Sequence, residues 1–193
     1  CGKVIVATSE EELNSLDFLH ERGQENGIKG IKKLSPDELR KYEPHATGLS
    51  ALYCPETGII DYQQVCEQLF ENIQKRGEIL TDTKVVSIID RPDGITVITE
   101  TMEYKTKFLI NCAGLFSDQV AELAGIERQV RIVPFRGEYY MLKEQACHLV
   151  KNLIYPVPDP RYPFLGVHFT RTLDGGIEAG PNAVLAWARE GYK

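Results

Sequence analysis

Residues 107–120, KFLINCAGLFSDQV, hold the densest run of chemically suggestive positions in the 193-residue sequence. An apolar stretch, Phe108-Leu109-Ile110, reads as a strand running to Cys112, passes Ala113-Gly114, and breaks at Ser117-Asp118 into a helix start. Such a junction places backbone N–H groups at a helix N-terminus, where an anion or a cofactor's phosphate can sit, and Gly114 would let a ligand approach the backbone. The competing reading is a plain turn, since a single Gly between strand and helix often does nothing more. No glycine-rich nucleotide fingerprint precedes it. Cys112 could serve as a nucleophile, but at the end of an apolar strand it reads as a small buried hydrophobe. Elsewhere, His168 in GVHFTR is of a residue type suited to general-base work, and Arg136 in PFRGEYY and Arg171 carry planar forks that grip a carboxylate by two prongs. A hydrogen-bonded sheet histidine and salt-bridged or solvated surface arginines are the alternatives at these three positions.

Other chemistries are excluded by composition. The 28 acidic and 22 basic residues leave a net charge of −6, with no Lys/Arg cluster to grip a phosphate backbone, so nucleic acid is not the expected partner. Cys1, Cys54, Cys66, Cys112 and Cys147 are odd in number, scattered and without a Cys-x-x-Cys pair, and read as reduced thiols in a cytoplasm. His20, His45, His148 and His168 do not join them at metal-ligand spacing, so no metal is expected. Glu10-Glu11-Glu12 is a charge run favoured at a helix start. No apolar run approaches the ~18 residues of a membrane span and there is no signal-peptide layout, so the chain reads as a soluble globular protein whose 42% hydrophobic share supports a core.

The elements that must position these residues follow from period and punctuation. Val4–Ala7 suits a strand; Ser9 with Glu12 forms a capping box, and Leu13, Leu16 and Leu19 mark the apolar stripe of a helix ending at Gly27. Ser35-Pro36-Asp37-Glu38 opens a short helix that Pro44 stops, and Asp61 with Gln64 opens a third, with Val65, Leu69 and Ile73 on one face and Gly77 closing it. Val85–Ile89 and Ile95–Thr99 flank Arg91-Pro92-Asp93-Gly94 as a hairpin, and Phe108–Cys112 is the expected third strand. A brief helix ends at Gly125; strands are then expected over 130–142, 165–171 and 176–179, the last two joined by Asp174-Gly175-Gly176. Trp187 and Tyr192 read as packing residues.

The segments LINCAGLFSD, VPFRGEYYML, NLIYPVPDPRYPFLGVHFTR and GPNAVLAWAREGY, in this order, resemble the bacterial L-2-hydroxyglutarate oxidase/dehydrogenase family, flavoproteins with a D-amino-acid-oxidase-like fold. The likeness extends back through CGKVIVATSEEE, LSPDELRKYEPHATGL and TGIIDYQQVCEQLFENIQKRG, and so covers essentially the whole chain. The resemblance implies an α+β chain in which a substrate-domain β-sheet is interleaved with part of an FAD-binding α/β domain, a β-meander and helix. The N-terminal dinucleotide fingerprint is missing. The expected division is 1–59 and 127–193 for the two parts of the substrate-binding domain and 60–126 for the partial FAD-binding domain. Because the chain opens at Cys1 inside a strand-like segment, it is expected to be an internal fragment of a longer enzyme.

The same resemblance implies that Val85 meets the adenine of FAD and that Ala113 and Gly114 line the nucleotide side. The reaction it implies is oxidation of a 2-hydroxy acid, most closely L-2-hydroxyglutarate, with His168 as base beside Gly166 and Thr170 on one strand face, and Arg136 and Arg171 as carboxylate anchors. Tyr139 and Tyr140 point to opposite strand faces; Tyr140, sharing a face with Arg136, is the expected pocket residue. Related flavin dehydrogenases acting on glycerol 3-phosphate or malate, and a non-catalytic binding module, are the alternatives. The isolated piece is expected to hold no stoichiometric FAD, to be inactive, and to self-associate through apolar faces left bare. A cytoplasmic location is expected, with peripheral contact at the inner membrane face for quinone reduction carried beside it.

Overall fold

In a computed structural model that describes residues 1–127 and 129–191, the elements follow in the order β1 (Lys3–Ala7), α1 (Glu10–Glu25), β2 (Lys32–Leu34), α2 (Pro36–Tyr42), β3 (Ser50–Cys54), α3 (Tyr62–Gln74), β4 (Val85–Arg91), β5 (Gly94–Thr99), β6 (Glu103–Thr106), α4 (Ser117–Leu123), β7 (Phe135–Met141), β8 (Leu153–Pro156), β9 (His168–Arg171) and β10 (Ile177–Leu185). The chain divides into two compact units, one of Cys1–Tyr62 with Gly137–Val184, the other of Gln63–Arg136 with Leu185–Lys193. The middle of the expected second substrate segment thus groups with residues 1–62, while its two ends group with the meander.

In the first unit, β1 pairs antiparallel with β3 and parallel with β8 inside a sheet ordered β2-β3-β1-β8-β9-β10-β7. Alternation along β1 sends Val4 and Val6 to one face, where they pack with Leu34, Leu39 and Ala51 under α2. Ile5 and Ala7 go to the other, against Leu16 and Leu52 under α1. Both helices start as their capping residues dictate: the Glu12 carboxylate accepts from Ser9 N at 3.2 Å, and Ser35 and Glu38 exchange bonds at 2.8 and 3.4 Å with Pro36 in the first turn. At the other end of α1, Gly27 takes a positive φ of 73° and Ile28 N reaches Gly23 O, a Schellman-type stop. Glu43, fully buried after α2, accepts hydrogen bonds from Asn152 N, Asn152 Nδ2 and Lys151 N, which ties α2 to the start of β8.

In the second unit, β4, β5 and β6 form a three-stranded antiparallel meander, with Arg91 paired to Gly94 across the expected turn. Its third strand is not the one expected. The Thr99–Met102 turn, closed by Thr99 N to Met102 O at 2.8 Å, folds the polar segment Glu103–Thr106 back onto β5. Phe108–Cys112 follows in irregular conformation, outside every sheet among the described residues, with Phe108 83% and Ile110 84% exposed. An extended segment needs a partner strand for its N–H and C=O groups, and the free side of β5 is taken by β6. The helix α3 carries Val65, Leu69 and Ile73 at the expected spacing, yet none of its residues is buried.

Two later strands are shorter or displaced. β7 begins at Phe135, beyond Pro134, and 165–167 stay outside β9; an added Cβ on Gly166 would lie 2.7 Å from Pro156 Cγ. Trp187, expected to pack, is 90% exposed, and Tyr192 lies outside the described residues.

Candidate functional site

Each unit presents its own candidate surface. In the meander unit, Val85 and Ala113 line one cleft of about 980 Å³, with Phe116 and Val120 among the apolar walls and Lys84 and Glu190 among the charged ones. Its volume lies within the range of about 300–1,000 Å³ typical of small-molecule sites. The wall at Ala113 is shaped by side chains as well as by glycine. Asn111 Oδ1 accepts Ala113 N at 3.1 Å while its Nδ2 donates to Ser117 O at 2.8 Å, and Ser117 Oγ donates to Gly114 O at 2.8 Å. Gly114 opens a 3-10 turn through Phe116 at φ 54°, and a Cβ built on it would meet nothing within 4 Å. A side chain there would be strained by the backbone angle, and the bare backbone leaves room for a ligand. These features fit the adenine-nucleotide end of FAD: an apolar slot between Val85 and Ala113, beside a glycine turn without side-chain cover.

The helix start at Ser117-Asp118, open to an anion site or a plain turn, uses its backbone donors internally. α4 is seven residues long, and the Asp118 carboxylate itself accepts from Gln119 N at 2.9 Å and Ile132 N at 3.1 Å. Asp118 is buried, and a two-pronged pair with Arg189 holds its carboxyl well below the usual carboxylate range, with the two backbone donors adding to that and burial opposing it. Cys112 is exposed, not a buried strand cysteine. All five cysteines are free. Among the described residues, no three His, Cys, Asp or Glu side chains gather as metal ligands.

In the sheet unit, His168 is the buried polar residue of interest, 7% exposed on β9. Its Nδ1 lies 2.8 Å from Gly166 O. A carbonyl oxygen can only accept, so this nitrogen carries the proton and Nε2 of the neutral ring keeps its lone pair. Tyr155, directly opposite on β8, stacks on the imidazole at 4.0 Å between centroids and 19° between planes, and Lys3 Nζ lies 4.6 Å from the Tyr155 ring centre. The ring is therefore fixed both in plane and in tautomer.

The tyrosine beside it is not the one expected. Gly180 is the register partner of His168, and directly opposed residues share a sheet face. A Cβ on Gly180 would come within 2.7 Å of Tyr139 Cδ1, so the Tyr139 ring covers the His168 face over a position that glycine leaves clear. Tyr140, one residue on, points the other way and is largely exposed. Arg171 is likewise turned from His168 by strand alternation, and its Nη1 donates to Lys151 O at 2.7 Å. Arg136 belongs to the meander unit, where with Leu115, Pro134 and Arg189 it lines a depression of about 380 Å³.

The chain as a whole has counterparts among known proteins. Along its whole length the chain is 50% identical to an L-2-hydroxyglutarate dehydrogenase from Indibacter alkaliphilus and 46% identical to the mitochondrial L-2-hydroxyglutarate dehydrogenase of Homo sapiens, of which it covers 49% and 44%. It spans about half the length of the curated relatives it matches. Among solved structures, an FAD-bound L-alpha-glycerophosphate oxidase from Mycoplasma pneumoniae superposes with a TM-score of 0.84 at 28% identity, over 97% of this chain and 50% of that one. An L-proline dehydrogenase from P. horikoshii, at 18% identity and a TM-score of 0.80 over 97% of this chain and 50% of that one, shares the fold. The model of the FAD dependent oxidoreductase family matches residues 1–191, and the chain belongs to that family.

Proposed function

We propose that this chain works within an FAD-dependent enzyme that oxidises L-2-hydroxyglutarate to 2-oxoglutarate. The observation that carries the reading is the half-identity over the full chain to a bacterial and a human protein of that activity by name. Bound flavin supplies the hydride acceptor in such an oxidation. In the sheet unit, His168 Nε2 takes the hydroxyl proton, its lone pair kept available by the Nδ1–H bond to Gly166 O. Tyr155 holds the imidazole by stacking, and Tyr139 walls the same face. Arg136, in the meander unit, remains the carboxylate-anchor candidate, on the depression it lines with Leu115 and Pro134. Arg171, on the strand face opposite His168, donates to Lys151 O and is not assigned to the proton-transfer face. In the meander unit, Val85, Ala113 and Gly114 take the adenine-nucleotide end of the cofactor.

A second reading, oxidation of glycerol 3-phosphate, is favoured by the structural match to the L-alpha-glycerophosphate oxidase. Steady-state turnover of the full-length protein separates the two. L-2-hydroxyglutarate giving 2-oxoglutarate supports the first, and preference for glycerol 3-phosphate supports the second. Oxygen uptake set against reduction of an added quinone identifies the electron acceptor. For the quinone case we propose peripheral membrane contact in a cytoplasmic enzyme, checked by salt release from membranes; no described helix is long and apolar enough to cross one.

A further inference from the structure

Arg189 makes several directed contacts beside the meander cleft. Its guanidinium grips both oxygens of Asp118 and donates to Leu115 O and Ile132 O, and it lies 5.9 Å from the centre of the Phe116 ring. Asp118 in turn receives the backbone N–H groups of Gln119 and Ile132. Both side chains are withdrawn from solvent, at 14% exposure for Arg189 and 2% for Asp118. Three pieces of chain meet at this pair: the turn that follows Ala113, the segment at Ile132, and the segment at 189. The first and third reach the cleft directly, because Ala113, Phe116 and Glu190 all line it.

We propose that Asp118 and Arg189 are positioning residues for the cofactor, clamping the Ala113–Phe116 turn and the Glu190 segment into the two walls that receive the nucleotide end of FAD. This rests on the cofactor reading given above. Neither side chain needs to touch the ligand; their part is to set where the Gly114 backbone and the Phe116 ring stand. A lysine at 189 keeps the charge and most of the stem but cannot hold two carboxylate oxygens and two carbonyls at once.

The test uses full-length apoprotein titrated with FAD, followed by flavin fluorescence, for wild type, D118N, R189A and R189K. The clamp predicts that each variant lowers FAD affinity by roughly tenfold or more, as expected for loss of a charge-assisted, two-pronged contact. R189K carries the test if R189A does not fold. A pair with a merely structural role would lower the melting temperature yet leave the affinity of the folded protein for FAD unchanged, and that result overturns the inference. The V85W variant separates the two levels. If it binds FAD as tightly as wild type, the cofactor reading falls and takes this inference with it; if V85W is weakened and R189K is not, only the inference falls.

Discussion

The two units carry the same kinds of apolar pattern and meet opposite fates. In the sheet unit, β1 is covered on both faces, and Val4, Leu16, Leu34 and Leu39 are sealed from solvent. In the meander unit, α3 has a well-spaced apolar stripe with no buried residue, and Phe108 and Ile110 stand in water. Amphipathic spacing says which face of an element is apolar; burial requires a second layer to receive it. The sheet finds that layer in α1 and α2. For α3 and Phe108–Cys112 the described residues provide none, and large exposed patches of this kind mark interaction surfaces.

The largest effect should come from the sheet unit's chemistry: in the full-length protein, His168→Ala should lower kcat by about 10²–10⁴-fold, the usual worth of a positioned base, with FAD still bound. Steady-state kinetics and the flavin spectrum check both halves. Next in size is the contrast in stability. Leu16→Ala should cost about 2–5 kcal/mol, since it empties a fully buried site under α1, whereas Ile110→Ser should stay within about 0.5 kcal/mol. Urea unfolding of the two variants measures this, and equal effects would erase the distinction between the units. The 193-residue chain should also self-associate in sedimentation velocity, and a Phe108→Ser/Ile110→Ser double variant should shift it towards monomer.

A smaller and pH-dependent effect belongs to Asp118. Its folded-state pKa lies below that of the unfolded chain, chiefly through Arg189. The pair therefore contributes fully at neutral pH and down to about pH 4, and its contribution is lost as the pH falls through the folded value. Thermal melts between neutral and acid pH should show this stretch of acid sensitivity in wild type and a flatter profile in Asp118→Asn.

Much of the sheet unit was legible because its signals are local. Two capping boxes, the alternation in Val4–Ala7 and the glycine after α1 each act over a few residues, and each acts in the structure as read. The meander's first hairpin was legible for the same reason. Its third strand was not: Glu103–Thr106 is polar, and only the Thr99 turn brings it home, while the more apolar Phe108–Cys112 has the look of a strand without a ladder to join. At the candidate site, alternation showed that Tyr139 and Tyr140 must part, but which one shares a face with His168 depends on Gly180 and the placing of β7 beside β10. The Asp118–Arg189 pair spans 71 residues, a separation at which neither residue leaves a local trace.

Under the proposed function, the full-length protein carries out a flavin oxidation of a 2-hydroxy acid. Mixing the full-length protein anaerobically with L-2-hydroxyglutarate tests it most directly. The account predicts loss of the visible flavin absorbance with one 2-oxoglutarate formed per flavin reduced. A flavin that stays oxidised with this substrate and with every other 2-hydroxy acid would contradict it.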